Sequence, residues 1–148
     1  VSVQLARAGA EDLPAIAALS SRCFEHGAWD EPALAAELAR PFAEVWLARE
    51  PGGGQVVGYA VAWFVGDDGE LLTVGTEPSL RRRGIGRALV EVLQRSTRQR
   101  GVRSLTLEVR ADNLAAQHLY EALGFELLDV RRRYYADGTD ARIMRWTP

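Results

Sequence analysis

The sequence predicts a mixed α/β protein, a sheet of about six to seven strands with helices packed on it. Three observations predict this. Apolar residues alternate with polar ones in several short segments, as Leu105, Leu107 and Val109 do with Thr106, Glu108 and Arg110, which is the period of a two-faced strand. Other segments carry helical spacing, most clearly Ile85, Ala88, Leu89, Val92, Leu93 and Ser96. The segments run in the order strand, two helices, three strands, helix, strand, helix, two strands, which is the pattern of a mixed sheet with helices on it.

Each element has its own signal. Val3 and Leu5 alternate with polar neighbours, so residues 2–7 read as the first strand. Asp12 is placed to cap the first helix, with Pro14 in its first turn and Ile16, Leu19, Ser20, Cys23 and Phe24 on one face. Asp30 and Pro32 repeat that start for a second helix, with Leu34 and Leu38 on one face. Val45 and Leu47 mark a short strand. The turn Pro51-Gly52-Gly53-Gly54 joins it to Val56–Val65 as a hairpin. After Gly66-Asp67-Asp68-Gly69, a further strand runs from Leu71 to Thr76. The third helix follows and stops at Gly101. A fourth runs from about Asn113 to Leu123, ended by Gly124, with Ala115, Leu119, Ala122 and Leu123 as its packing stripe and Asn113, Ala116 and Tyr120 on another face. Phe125–Val130 and Arg142–Trp146 close the chain as strands around an Asp137-Gly138 turn.

Composition narrows the class. A chain of 148 residues reads as one domain, residues 1–148, large enough to bury roughly 68–70% of its unfolded surface. Hydrophobic residues at 47% and charged ones at 26% lie in the globular range. The formal charge of −2 argues against a protein that coats nucleic acid, so no direct nucleic-acid partner is expected. The one cysteine, Cys23, cannot close an intramolecular disulfide and reads as a small buried hydrophobe, which suits a reducing, cytoplasmic location. Val56–Val65 is too short to cross a bilayer, and no basic segment with an apolar run opens the chain, so neither membrane nor secretion signal is expected. His26 and His118 have no metal-ligand spacing with cysteine or carboxylates, so no metal is expected.

Charge is uneven, and one basic cluster has a specific context. Arg81-Arg82-Arg83-Gly84-Ile85-Gly86-Arg87 lies between a strand and an amphipathic helix. Glycines spaced by one residue allow a tight turn with no Cβ in a ligand's way. The unpaired N–H groups of the first helical turn and the helix dipole favour an anion such as a pyrophosphate. A P-loop requires a lysine after its second glycine, and the chain has no lysine; a dinucleotide fingerprint requires a third small residue where Leu89 stands.

The pattern Arg-x-x-Gly-x-Gly before a helix resembles the acetyl-CoA signature of the GNAT N-acetyltransferase family. Leu107-Glu108-Val109-Arg110, Asn113, Ala116, Leu119-Tyr120 and Gly124-Phe125 resemble the second half of that family's core. The resemblance extends from about residue 4 to 146. It is nearest to the RimI-like group, which acetylates the N-terminal alanine of a ribosomal protein. Arg132-Arg133-Tyr134-Tyr135 fits that group as well, whereas Ala28-Trp29 departs from the Pro-Trp often found there.

The resemblance implies a GNAT fold with helices on both faces and fourth and fifth strands that splay apart to admit acetyl-CoA. It assigns cofactor contacts to Val74, Gly75 and Thr76 on the fourth strand, to Arg82, Arg83, Gly84, Ile85, Gly86 and Arg87 at the turn, and to the Asn113 side chain. Gly75 inside a strand reads as a bulge or a close ligand approach. Glu108 is implied as the base that takes a proton from the amine, and Tyr120 as the acid that serves the departing thiolate. Trp29, Tyr134 and Tyr135 are candidates for the acceptor pocket, with ordinary packing as the alternative. The expected acceptor is a protein or peptide N-terminus, possibly ribosomal, attacked without an acyl-enzyme by a monomer or weak dimer. Two alternatives stand beside it: acetylation of a small-molecule or lysine amine, and a CoA-binding regulatory module without turnover.

Overall fold

The structure is a computed structural model that describes residues 2–148. Seven strands form one sheet in the order β1-β2-β3-β4-β5-β7-β6. They are β1 (Gln4–Arg7), β2 (Ala43–Arg49), β3 (Val56–Val65), β4 (Asp68–Thr76), β5 (Ser104–Arg110), β6 (Glu126–Arg131) and β7 (Ala141–Trp146). The helices are α1 (Leu13–Cys23), α2 (Glu31–Leu38), α3 (Ile85–Arg100) and α4 (Leu114–Ala122). All neighbouring strands are antiparallel except β4 and β5. That parallel pair needs a crossover, and α3 supplies it.

The helices cover the two faces unequally. On one face α1 and α2 bury Leu13, Ile16, Leu19 and Leu34 against Val45, Leu47, Tyr59 and Val61 of β2 and β3. On the other, the stripe Ile85, Leu89, Val92 and Leu93 of α3 packs on a core that runs from Ala48 to Met144 and Trp146. Alternation on β5 sends Leu105, Leu107 and Val109 into this second core. Thr106, Glu108 and Arg110 therefore point to the opposite face, and Glu108 is exposed there.

The splay that the resemblance implies is present, and its cause is visible. The β4–β5 ladder runs only from Asp68↔Ser104 to Leu71↔Leu107. In the β3–β4 register, Val61 pairs with Thr73 and Ala62 with Leu71, so Leu72 is an extra residue. A bulge bends its strand and ends regular pairing. Beyond it β4 continues with β3 alone, while Glu108, Val109 and Arg110 of β5 pair with Ile143, Arg142 and Ala141 of β7. A gap opens between residues 72–76 and 108–110.

Four local expectations need correction. The bulge is at Leu72 and not at Gly75. Gly75 is required by packing: a Cβ there would lie 2.4 Å from Cε1 of Tyr59, its direct cross-strand partner. Asp12 does not cap α1; its carboxylate accepts the Gly9 N–H at 2.8 Å and pairs with Arg49. The buried side of α4 is Ala116, Gln117, Tyr120 and Leu123, while Ala115 and Ala122 are exposed. The sheet lies on the Tyr120 side, which the helical wheel alone could not decide. Finally, Cys23 is only half-buried, and its thiol donates to the Thr76 carbonyl at 3.2 Å. Asp30 does cap α2, accepting the Ala33 N–H at 2.9 Å.

Candidate active site

The turn before α3 has the conformation its glycines allow. Gly84 sits at the N-cap with φ of 83° and makes no side-chain cap. Arg82 adopts φ of 65°, a left-handed conformation uncommon outside glycine. Ala88 is the first residue to close a helical bond, to the Gly84 carbonyl at 3.0 Å. The preceding amides of Ile85, Gly86 and Arg87 are thus the uncapped donors of a helix N-terminus. Gly86 differs from Gly84 in what it does. A Cβ at Gly86 would meet only Thr76 Oγ1 at 3.5 Å and Leu119 Cδ2 at 3.6 Å, ordinary contacts, so protein packing does not demand glycine there. Arg81, Arg82, Arg83 and Arg87 are exposed around the turn.

From this turn the unpaired edge of β4 leads into the sheet. Val74 packs toward α3, Thr76 approaches Gly86, and Gly75 is held against Tyr59. These three residues have a strand partner on the β3 side only. The edge facing the gap is free to pair with an extended ligand, as an added strand would.

Two titratable side chains flank the gap from opposite faces. Tyr120 comes from the α4 side, packed beside Phe125 with ring centroids 5.7 Å apart. Its hydroxyl has no hydrogen-bond partner among the described residues. Burial pushes its pKa up to about 12, so the phenol stays protonated at any ordinary pH. Glu108 comes from the other face, where Tyr134 donates to its Oε1 at 3.4 Å.

Tyr134 reaches Glu108, with Tyr135 packed against it, because the loop between β6 and β7 is tied down. Arg110 donates to Asp137 at 2.5 Å and to Thr139 at 2.9 Å, pairs with Asp112, and lies 4.7 Å from the Tyr135 ring centroid. Tyr134 and Tyr135 pack edge to face at 5.2 Å. Asp137 is held down at about 2 by the Thr139 N–H first and by Arg110. The sequence reading missed this role of Arg110, because its partners lie 27 and 29 residues away. It also missed Glu70, which shares the Glu108 face.

Other expected residues sit elsewhere. Asn113 caps α4, its Oδ1 accepting the Ala116 N–H at 3.2 Å, which leaves its amide N–H groups for another partner. Trp29 packs with the α1–α2 core, and its backbone N–H donates to Ser20 Oγ at 2.8 Å. It also lines a shallow groove with Pro14, Ala17 and Ser21. The Cys23 thiol is pushed up by burial, away from the thiolate a nucleophile would need. No group of residues able to hold a metal ion occurs among the described residues, and no described helix is long and apolar enough to cross a membrane.

An uncapped helix start, an open strand edge, a buried phenol and an exposed carboxylate together suit the transfer of an acyl group from a long phosphorylated carrier. The family model for acetyltransferases of the GNAT family matches residues 13–125, and the chain belongs to that family. It is an N-acetyltransferase that uses acetyl-CoA.

Its relatives are more specific. Over 139 residues the chain is 35% identical to the [ribosomal protein bS18]-alanine N-acetyltransferase of Escherichia coli K12, covering 93% of this chain and 91% of that one. It is 42% identical over 122 residues to the N-alpha-acetyltransferase RimI of Mycobacterium tuberculosis, covering 79% and 74%. The crystal structure of the ribosomal-protein-S18-alanine N-acetyltransferase from Escherichia coli superposes with a TM-score of 0.87 at 34% identity, over 99% of this chain and 94% of that one.

Proposed function

We propose that this enzyme acetylates the N-terminal α-amino group of a protein, of the ribosomal-protein alanine type, in the cytoplasm. The observation that carries the proposal is the gap beyond Leu71 and Leu107, with Glu108 on one face, Tyr120 on the other and the uncapped α3 start at its end. Identity to alanine N-acetyltransferases over most of the chain supports the same acceptor.

The residues present fit acetyl-CoA. The amides of residues 85–87, with Arg82, Arg83 and Arg87 around them, would hold its diphosphate; Gly84 shapes the turn, and Gly86 leaves the space a phosphate needs. Residues 74–76 would pair with the pantetheine amides, and Asn113 would add a side-chain contact. When bound, acetyl-CoA supplies the thioester. Glu108 takes one proton from the acceptor ammonium, and the freed amine attacks the thioester carbonyl. A backbone N–H of residues 74–76 would serve as a donor to the thioester carbonyl oxygen. Tyr120 would pass the second amine proton to the departing sulfur. A phenol near 12 does not persist as tyrosinate beside a thiol of about 8.5, so it must give and regain a proton in one concerted relay.

The acceptor class suits this modest machinery. An α-amino group near 7.8 is already roughly one-seventh neutral at pH 7, whereas a lysine near 10.4 is almost wholly protonated. One exposed carboxylate suffices for the former. Incubating the enzyme with acetyl-CoA and a peptide beginning with alanine should release the free CoA thiol. Release with free lysine, polyamines or aminoglycosides but not with the peptide would refute the assignment.

A further inference from the structure

We propose that Ser20 and Tyr59 are positioning residues for acceptor selection: through one buried pair of hydroxyls they hold the loop that carries Trp29 beside the gap. The role rests on the reading of this sheet face as the acceptor site.

Ser20 stands out in α1. It lies on the apolar stripe with Ile16, Leu19 and Cys23 and is 0% exposed, although a buried hydroxyl without a partner is costly. A serine within a helix often bonds the carbonyl four residues back. Here Ser20 reaches away from its own helix. Its Oγ accepts the Trp29 N–H at 2.8 Å and lies 2.8 Å from the Tyr59 hydroxyl. Tyr59 is equally buried, and its hydroxyl lies 3.5 Å from Thr73 Oγ1. Burial pushes the Tyr59 phenol up, so the pair stays uncharged at any ordinary pH.

The loop held by this pair has little else to fix it. α1 ends at Cys23 and α2 starts at Glu31. Between them Gly27 turns the chain with φ of 75°. Among the described residues, the bond from Trp29 to Ser20 is the only hydrogen bond that residues 25–29 make. Asp30 belongs to the α2 cap. At its other end the network touches the gap. Tyr59 stands opposite Gly75, and Thr73 follows the extra residue Leu72 on the stretch of β4 that has left β5. Leu72, Phe24 and Trp29 pack against the same core. One line of contacts thus runs from the cofactor strand through Tyr59 and Ser20 to Trp29. A binding wall discriminates only as well as its side chains are locked by the groups behind them. Without the Ser20 oxygen, apolar packing alone would hold Trp29, and the wall would yield to acceptors of other sizes.

The test is acceptor selection by the full chain carrying Ser20→Ala, Tyr59→Phe or both. Each enzyme is given acetyl-CoA and peptides that differ only in starting with alanine or with leucine. The ratio of kcat/KM for the two peptides does not depend on how much of a variant is folded, so lost stability alone leaves it unmoved. Ser20→Ala should shift that ratio toward leucine about fivefold, the size of one hydrogen bond, and raise the alanine-peptide KM by a similar factor. The KM for acetyl-CoA should hold. Tyr59→Phe keeps its ring against Gly75 and should give a smaller change in the same direction. The double variant should match Ser20→Ala, since both changes act through one oxygen. An unchanged ratio and peptide KM in Ser20→Ala, or in Tyr59→Phe where Ser20→Ala does not fold, overturn the proposal. Additive effects in the double variant remove Tyr59 from it. A wild type that turns over neither peptide refutes the acceptor assignment beneath it.

Discussion

One face of this sheet is treated in two ways. Over β2 and β3 it lies beneath α1 and α2, where Tyr59 is 0% exposed. Over β5 and β7 the same face carries no helix, and Tyr134, 46% exposed, stands beside Glu108. The opposite face is one continuous core under α3 and α4. The difference teaches where such a fold places chemistry. α3 and α4 hold the sheet from one side as far as β7, while every β6 residue is exposed, and the half that α1 and α2 leave bare opens onto the gap between strands.

Substitutions on the two halves should therefore separate activity from stability. The largest effect is expected from Glu108→Gln on the bare half, with turnover lowered about 10²–10⁴-fold. Acetyl-CoA affinity by calorimetry should hold, since Glu108 lies off the carrier's path. Full activity in that variant would remove it from the mechanism. Next comes Tyr120→Phe, expected near the lower end of the same range, about a hundredfold in kcat. Because the Tyr120 hydroxyl bonds nothing among the described residues, its thermal midpoint should match the wild type; a clear drop would reassign Tyr120 to packing.

The covered half should respond the other way. In Gly75→Ala, the new methyl must displace the Tyr59 ring, and overpacking of this kind costs about 1–3 kcal/mol. Urea denaturation should show that loss.

Two smaller effects sharpen the picture at the loop that walls the bare half. Arg110→Met removes the ties to Asp137 and Thr139. It should raise the peptide KM several-fold, with the KM for acetyl-CoA unmoved. The pH dependence of this tie has a definite sign. Asp137 is depressed to about 2 from an ordinary 3.8, so its contribution is complete above the ordinary value and lost as pH falls toward 2. Spectra of Tyr134 and Tyr135 should be unchanged between pH 7 and 5. Glu70 has the opposite sign. Its raised carboxyl favours the fold at low pH and loses that contribution as pH rises through its shifted value. Glu70→Gln should therefore be no less stable than the wild type at neutral pH, and relatively more so there than at pH 4.

Much of this was legible before any coordinates, because it depends on residues close in the chain. A helix start is set by its own first turn, so Gly84, Gly86 and the flanking arginines announced an uncapped helix start ringed by positive charge. The alternation around Glu108 announced that it points away from Leu107 and Val109. Only the tertiary structure could decide which side of α4 meets the sheet, since Ala115 and Ala116 look equally able to pack. It also decided why Gly75 is glycine, since the reason is a tyrosine 16 residues earlier, brought opposite by the β3–β4 register. The splay was carried by family likeness, and its physical cause, the extra residue Leu72, appears only once strands are paired. Glu70 and Arg110 escaped notice for the same reason. Their neighbours are set by strand register and loop closure over dozens of residues, and periodicity along the chain contains no information about that distance.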